Sequence, residues 1–342
     1  MIADPTLALI LAIMMAFAFA LTNGFHDAAN SIATLVATRV ARPLPAVAMA
    51  SVFNLLGPLF FGAAVANTVG KLVTVNPAHG VPVIGAGLTG AVVWNTYTWR
   101  RNLPSSSSHA LVGGLVGAAL LESGPGSINL GPFQDGHFYG LLGVLLGLLI
   151  ATCLGFLVAF ILERVLLRAT RRASARLRGP VRSVQWVTSA FLAFSHGSND
   201  AQKTVGIVAG LLLASGNATN LTAPLPVVVG ASIALTIGTA LGGWGIIKTV
   251  GRRIFPIRSL DGLVSQSSSA SVIFTASLLG APVSTTQVVS SSIVGIGVGR
   301  SRWRHVSWEV VREIALAWLT TMPAAGVIAA LSLPIWKALP GG

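Results

Sequence analysis

The feature that most limits what this chain can become is its series of long apolar stretches almost free of charge. The first ends near Phe25, and others cover 43–70, 80–99, 102–121, 138–162, 183–199, 204–248, 262–299 and 314–336. A helix that crosses a bilayer needs about 20 predominantly apolar residues. The stretches 204–248 and 262–299 are too long for one helix each. They break at 215–226, rich in Gly, Asn and Pro, and at Gly280-Ala281-Pro282. The pattern gives ten crossings or crossing-equivalents, within a range of about 10–12. Only 9% of residues are charged and mean hydropathy is +0.78, whereas soluble domains carry about 25% charged residues. Lipid-facing side chains need no charge, so a bilayer resolves that deficit.

The formal net charge is +13, which in a soluble protein would suggest nucleic acid. Here the basic residues sit in short clusters between apolar stretches, so no nucleic-acid partner is expected and the bilayer is the partner instead. Alternate loops hold Arg39 and Arg42; Arg100 and Arg101; the run from Arg164 to Arg182; Lys248, Arg252, Arg253 and Arg258; and Arg300, Arg302 and Arg304. Together they account for 18 of 22 basic residues. Basic bias marks the cytoplasmic side, which places both termini outside. The single cysteine, Cys153, lies in an apolar run and supplies neither a disulfide framework nor a metal motif.

The basic run 164–182 divides the chain into a first repeat, 1–163, and a second, 183–342. Five crossings per half mean that the second half enters the membrane from the opposite side, so any repeat is inverted. Gly24-Phe25-His26-Asp27-Ala28-Ala29-Asn30-Ser31 aligns with Gly197-Ser198-Asn199-Asp200-Ala201-Gln202-Lys203-Thr204 at an offset of 173. Pro104-Ser105-Ser106-Ser107-Ser108-His109 aligns with Pro282-Val283-Ser284-Thr285-Thr286-Gln287 at 178. A weaker match pairs Ala50, Ser51 and Gly57 with Ala231, Ser232 and Gly238 at 181. The fold class is therefore an all-α membrane protein, an inverted-repeat bundle with broken helices and two re-entrant Ser/Thr elements.

Asp27 and Asp200 are the two carboxylates within apolar segments that match across the repeat, and buried membrane carboxylates serve substrate or ion paths. Gly24 and Gly197, three residues earlier, suggest that a helix is interrupted at each signature. Ser106, Ser107 and Ser108, and Ser284, Thr285 and Thr286, each follow a proline and suit helix N-termini. Hydroxyls and free amides at such ends bind anions without arginine. Duplicated Ser/Thr elements, with no nucleophile elbow and no metal-ligand cluster, argue against an enzyme. A passive anion channel and a sulfate or other oxyanion carrier remain as alternatives.

The paired signatures 23–34 and 195–203, the segments 104–109 and 282–287, and Gly243-Trp244-Gly245-Ile246-Ile247-Lys248-Thr249-Val250-Gly251 together resemble the PiT family of inorganic phosphate transporters. The resemblance implies cation-coupled phosphate symport at a bacterial cytoplasmic membrane, phosphate held by the Ser/Thr elements with Lys203 as a further phosphate contact, no cofactor, and a homodimer. It also implies that Asp27, Asn30 and Asp200 serve cation coupling, holding a metal cation if sodium is the ion. Departures stand out at the Ser/Thr elements, where 105–108 reads Ser-Ser-Ser-Ser instead of the usual Ser-Thr-Thr and Gln287 replaces a common His, and at the aspartate signatures. His26 precedes the first aspartate, and Lys203 stands where Asn30 stands in the first half. This pattern is similar to bacterial low-affinity members described as proton-coupled carriers of metal–phosphate. On helical spacing Lys203 lies one turn after Asp200, where a fixed ammonium takes the place of a bound sodium. His26 then becomes the proton-exchanging partner of Asp27, since imidazole titrates near neutral pH, and proton coupling is favoured over sodium; the alternative is that His26 merely packs and Lys203 simply meets the phosphate.

Overall fold

The computed structural model describes residues 6–60, 62–73, 76–131, 133–134, 137–138, 140–170 and 178–342. The centre of the basic linker expected at 164–182, residues 171–177, lies outside them. The described chain is almost wholly helical: α1 Leu7–Ala37, α2 Pro43–Phe60, α3 Ala64–Gly70, α4 Pro77–Arg100, α5 Ser107–Ser123, α6 Gly140–Ala169, α7 Arg178–Ala214, α8 Leu225–Leu241, α9 Trp244–Lys248, α10 Ser259–Leu278, α11 Thr285–Gly299 and α12 Trp308–Lys337. A π-helical turn, Thr249–Arg253, continues α9, and a pair of two-residue strands, Phe133–Gln134 and His137–Phe138, precedes α6. The expected breaks at 215–226 and 280–282 fall between α7 and α8 and between α10 and α11.

Four helices, α1, α2, α6 and α12, are long and apolar enough to cross a membrane. The pair Leu225–Leu241 and Trp244–Arg253, bent by 65°, would make a fifth. Length and composition thus account for fewer than the ten crossings read from the sequence. Helices α4, α7 and α10 are long enough, but they spend part of their surface on polar groups turned into the protein, such as Asn95, Thr98, Gln185, Asn199, Gln266 and Ser269, all buried. Leucines and isoleucines along α6 and α12, among them Leu149, Leu157, Leu319 and Leu331, are exposed. Such a surface suits hydrocarbon rather than water.

Packing is reciprocal between halves. Helix α1 lies on α8 and α7 on α2; α1 lies on α4 and α7 on α10; α6 lies on α11 and α12 on α5. Each half therefore completes the other. The chain ends also meet, for Ala8 N donates to Pro340 O at 3.2 Å.

One expectation is corrected. Helices α1 and α7 run without interruption through Gly24 and Gly197. These glycines permit close helix approach: a Cβ on Gly24 would collide with the backbone of Leu235 and Gly238, and one on Gly197 with the backbone of Asn54. Their partners repeat the logic, since Gly238 abuts Leu21 and Gly24, and Gly57 abuts Phe194 and Ser198. Small residues at helix crossings are how membrane helices gain contact.

Candidate functional site

The unbroken helices bring Asp27 and Asp200 to the middle of the molecule, both fully enclosed. The N-termini of α5 and α11 arrive from opposite halves. Ser106 and Ser284 are the N-caps, accepting from His109 N at 3.2 Å and Gln287 N at 3.4 Å. Those two hydroxyls thus serve the helix ends. One step further in, Ser107 and Thr286 meet Asp27, Ser108 meets Lys203 and Thr285 meets Asn30.

Asp27 joins the halves. Its Oδ2 accepts from Ser107 Oγ at 2.6 Å, and its Oδ1 accepts from Thr286 Oγ1 at 2.5 Å and from Asn30 Nδ2 at 3.0 Å. Asn30 Nδ2 also approaches Thr285 Oγ1 and Thr286 Oγ1, both at 3.0 Å. Asn23 Oδ1 shares the Ser107 proton at 2.7 Å. In the second half Lys203 Nζ donates to Asp200 Oδ1 at 2.5 Å, Ser108 Oγ at 2.6 Å and Val283 O at 2.8 Å. All three ammonium protons are used, and Lys203 is buried. The expectation that Lys203 neutralises Asp200 one turn away is met geometrically.

His26 touches both Asp27 and the turn before α5. Its Nδ1 is 3.4 Å from Asp27 Oδ1, while Nε2 reaches Ser105 Oγ at 3.0 Å and Thr98 Oγ1 at 3.2 Å. The residue aligned with it, Asn199, holds the equivalent places: Ser277 Oγ at 3.0 Å, Ala281 O at 3.1 Å and Val283 N at 3.2 Å. Both residues pin the loop before a Ser/Thr helix to the helix that precedes it.

Sequence reading passed over His196. It aligns with Asn23 at the same offset of 173, and that register was the available signal. His196 Nδ1 meets Asn54 Oδ1 at 3.0 Å. Its Nε2 lies 3.0 Å from Asp200 Oδ2. Ligand atoms of Asp27, His196 and Asp200 fall within 4.8 Å of one another. Among the described residues, Asn30 Oδ1 and Asp200 Oδ2 are buried acceptors without a hydrogen-bond donor, and Asn23 Nδ2 is a buried donor without an acceptor. Open acceptors beside two carboxylates fit a small cation, and hydroxyl and amide donors at two helix ends fit an oxyanion. A second buried ionic group, also unforeseen, links α6, α10 and α11, where Arg300 meets Glu163 at 2.8 Å and Asp261 at 2.6 Å.

Comparison with known proteins shows what the chain resembles. The sequence model of the phosphate transporter family matches residues 23–178 and 167–329. A protein of Rhizobium meliloti described as "Probable low-affinity inorganic phosphate transporter" is 40% identical, over 96% of this chain and 96% of its own. A Bacillus subtilis protein of the same description is 36% identical over 94% of this chain and 95% of its own. A solved structure, "The sodium-dependent phosphate transporter", superposes with a TM-score of 0.84 at 23% identity, covering 96% of this chain and 99% of that one. At that identity the likeness is one of fold.

Proposed function

This chain belongs to the phosphate transporter family, and we propose that it imports inorganic phosphate by cation symport through the Asp27–Lys203 centre. Family membership makes it a transporter rather than an enzyme and a multi-pass membrane protein. Phosphate is held between the α5 and α11 ends by Ser107, Ser108, Thr285 and Thr286, with Ser106 and Ser284 keeping those ends formed. Asp27, Asn30 and Asp200 serve the coupling cation. The observation that carries the reading is Asp27 itself, one buried carboxylate bonded to Ser107 of one half and Thr286 of the other. A group so placed senses both Ser/Thr elements at once.

Charge supplies the reason for symport. Counting the carboxylates and the ammonium, Asp27 and Asp200 against Lys203 leave one net negative charge in a buried site. Adding a phosphate dianion there is prohibitive unless positive charge enters with it. Lys203 already fills the oxygen cage beside Asp200 as a resident cation, so fewer mobile ions are required. That favours protons, with the Asp27–His196–Asp200 cluster as the exchanging group and His26 as a positioning residue for Ser105. A metal–phosphate cargo is compatible with the open acceptors Asn30 Oδ1 and Asp200 Oδ2. The reciprocal packing supports an inverted repeat of 1–163 and 183–342, with α4–α5 and α10–α11 as the re-entrant hairpins. Both termini are proposed outside a bacterial cytoplasmic membrane, in a homodimer. Uptake of radiolabelled phosphate by proteoliposomes, competed with unlabelled phosphate or sulfate, tests the substrate: phosphate should compete and sulfate should not. Sulfate competing better would transfer the assignment to a sulfate carrier.

A further inference from the structure

The packing on the two sides of the centre differs in chemistry. On one side a buried seam of polar contacts follows α1 from Asp27. Ser189 Oγ donates to Ser31 O at 2.6 Å, and Gln266 Nε2 to Thr34 Oγ1 at 3.0 Å. Thr38 Oγ1 then donates to Gln185 Oε1 at 3.1 Å, and Gln185 Nε2 to Ser259 O at 2.7 Å. The repeat offsets of 173 and 178 carry Thr34, Thr38, Gln185, Ser189 and Gln266 onto Ile207, Leu211, Ala12, Ala16 and Leu88. All five of those counterparts are buried and apolar. A pseudo-symmetric fold has thus been made polar along one exit and greasy along the other.

The polar seam ends at an open cleft of about 570 Å³ lined by Arg39, Arg182, Arg258 and Arg300 beside Thr38 and Ser259. Thr38 is eleven residues from Asp27 along α1, or roughly 17 Å at 1.5 Å per residue. Among the described residues Arg300 forms salt bridges with Glu163 and Asp261, Arg258 also feels the Asp261 charge, and Arg39 and Arg182 have no carboxylate partner, Arg182 reaching only the carbonyls of Arg39 and Val40 at 3.5 Å. Arg39 holds a left-handed backbone, φ 59°, that most side chains avoid. Arg39 and Arg182, which have no carboxylate partner among the described residues, share the cleft with Arg258, and like charges gathered in one cleft repel one another. Arginine's fork of donors matches phosphate oxygens. We propose that this cleft is a second binding site for a phosphate group, where phosphate from the centre is received once the seam opens. A lipid phosphomonoester headgroup offers the same chemistry to the same arginines.

That the occupant is phosphate in transit rests on the transport reading; the affinity of the cleft for a phosphate group does not. The test is equilibrium binding of radiolabelled orthophosphate to the full chain in phosphatidylcholine nanodiscs. Two classes of site are expected. R39Q/R258Q should remove one class, or weaken it by about tenfold or more, as loss of charge-assisted bonds does. It should keep the other class, which also reports that the variant is folded. S107A/T285A should do the reverse. Adding phosphatidic acid to the nanodiscs separates the sources: loss of only the arginine-dependent class identifies a lipid headgroup as the competing occupant, and its persistence identifies free phosphate. Two classes left unchanged by R39Q/R258Q would overturn the proposal. So would a single class lost only in S107A/T285A, combined with no effect of phosphatidic acid; the transport reading would survive either result. Loss of the Ser107-dependent class alone from the unaltered chain would instead strike the transport reading and leave the cleft standing.

Discussion

Lys203 occupies in the second half the place that Asn30 occupies in the first. Each lies three residues after its aspartate, bonds it, and reaches a Ser/Thr helix of the opposite half: Asn30 to Thr285 and Thr286, Lys203 to Ser108. One member of this pair is neutral and the other is a cation. The asymmetry sets the charge of the centre.

Replacing the ammonium should therefore change which ion is needed. Lys203→Asn restores a symmetric pair of amide–carboxylate sites, and uptake should become dependent on sodium when choline is the comparison cation. Lys203→Met removes the charge and leaves Asp200 without its ion-pair partner, which costs about 3–5 kcal/mol in buried pairs. Thermal unfolding of the purified Lys203→Met variant in detergent should show that loss. An Asn variant as sodium-indifferent as the parent chain would count against a resident-cation role.

Removing a hydroxyl from the centre should weaken phosphate selectively. Ser107→Ala or Thr285→Ala each delete a polar partner of the buried site, and equilibrium binding should fall by about 1–3 kcal/mol. Ser106→Ala should act differently, because that hydroxyl caps α5. Its loss should lower stability by about 1 kcal/mol, with a smaller change in phosphate affinity once the protein is folded.

The glycine crossings give a prediction about assembly. Gly24→Ala and Gly197→Ala push a methyl group into facing backbone, and overpacking of this kind costs about 1–3 kcal/mol. Each should lower the midpoint of thermal unfolding more than Gly179→Ala, where a Cβ meets nothing within 4 Å. Equal midpoints for all three variants would show that the α1–α8 and α2–α7 crossings are looser than described.

Orientation can be read with one cysteine. Ser301 is exposed beside Arg300 and Arg302, in a basic loop that should be cytoplasmic. In a chain carrying Cys153→Ser, Ser301→Cys should react with a membrane-impermeant maleimide only after cells are opened. Labelling of intact cells would reverse the proposed topology.

Much of the centre was legible because the repeat printed it twice. Asp27 with Asp200, the serines with Ser284-Thr285-Thr286, and Lys203 against Asn30 all follow from constant offsets. The glycines misled because the same residue serves broken helices and close crossings, and sequence does not say whether another helix lies opposite. His26 is legible on one side only: its place beside Asp27 follows from the sequence, whereas its bonds to Ser105 and Thr98 depend on residues that only the fold brings near. The ionic group of Glu163, Asp261 and Arg300 was hidden because its members come from three helices with no repeat partner.

The most direct test of the account is phosphate uptake into proteoliposomes under one ion gradient at a time. With choline as the only other cation and an inward proton gradient imposed, labelled phosphate should accumulate against its own gradient. Accumulation should be indifferent to replacing choline with sodium and should disappear in Asp27→Asn. Uptake that requires sodium at constant pH, and does not respond to the proton gradient, would contradict it.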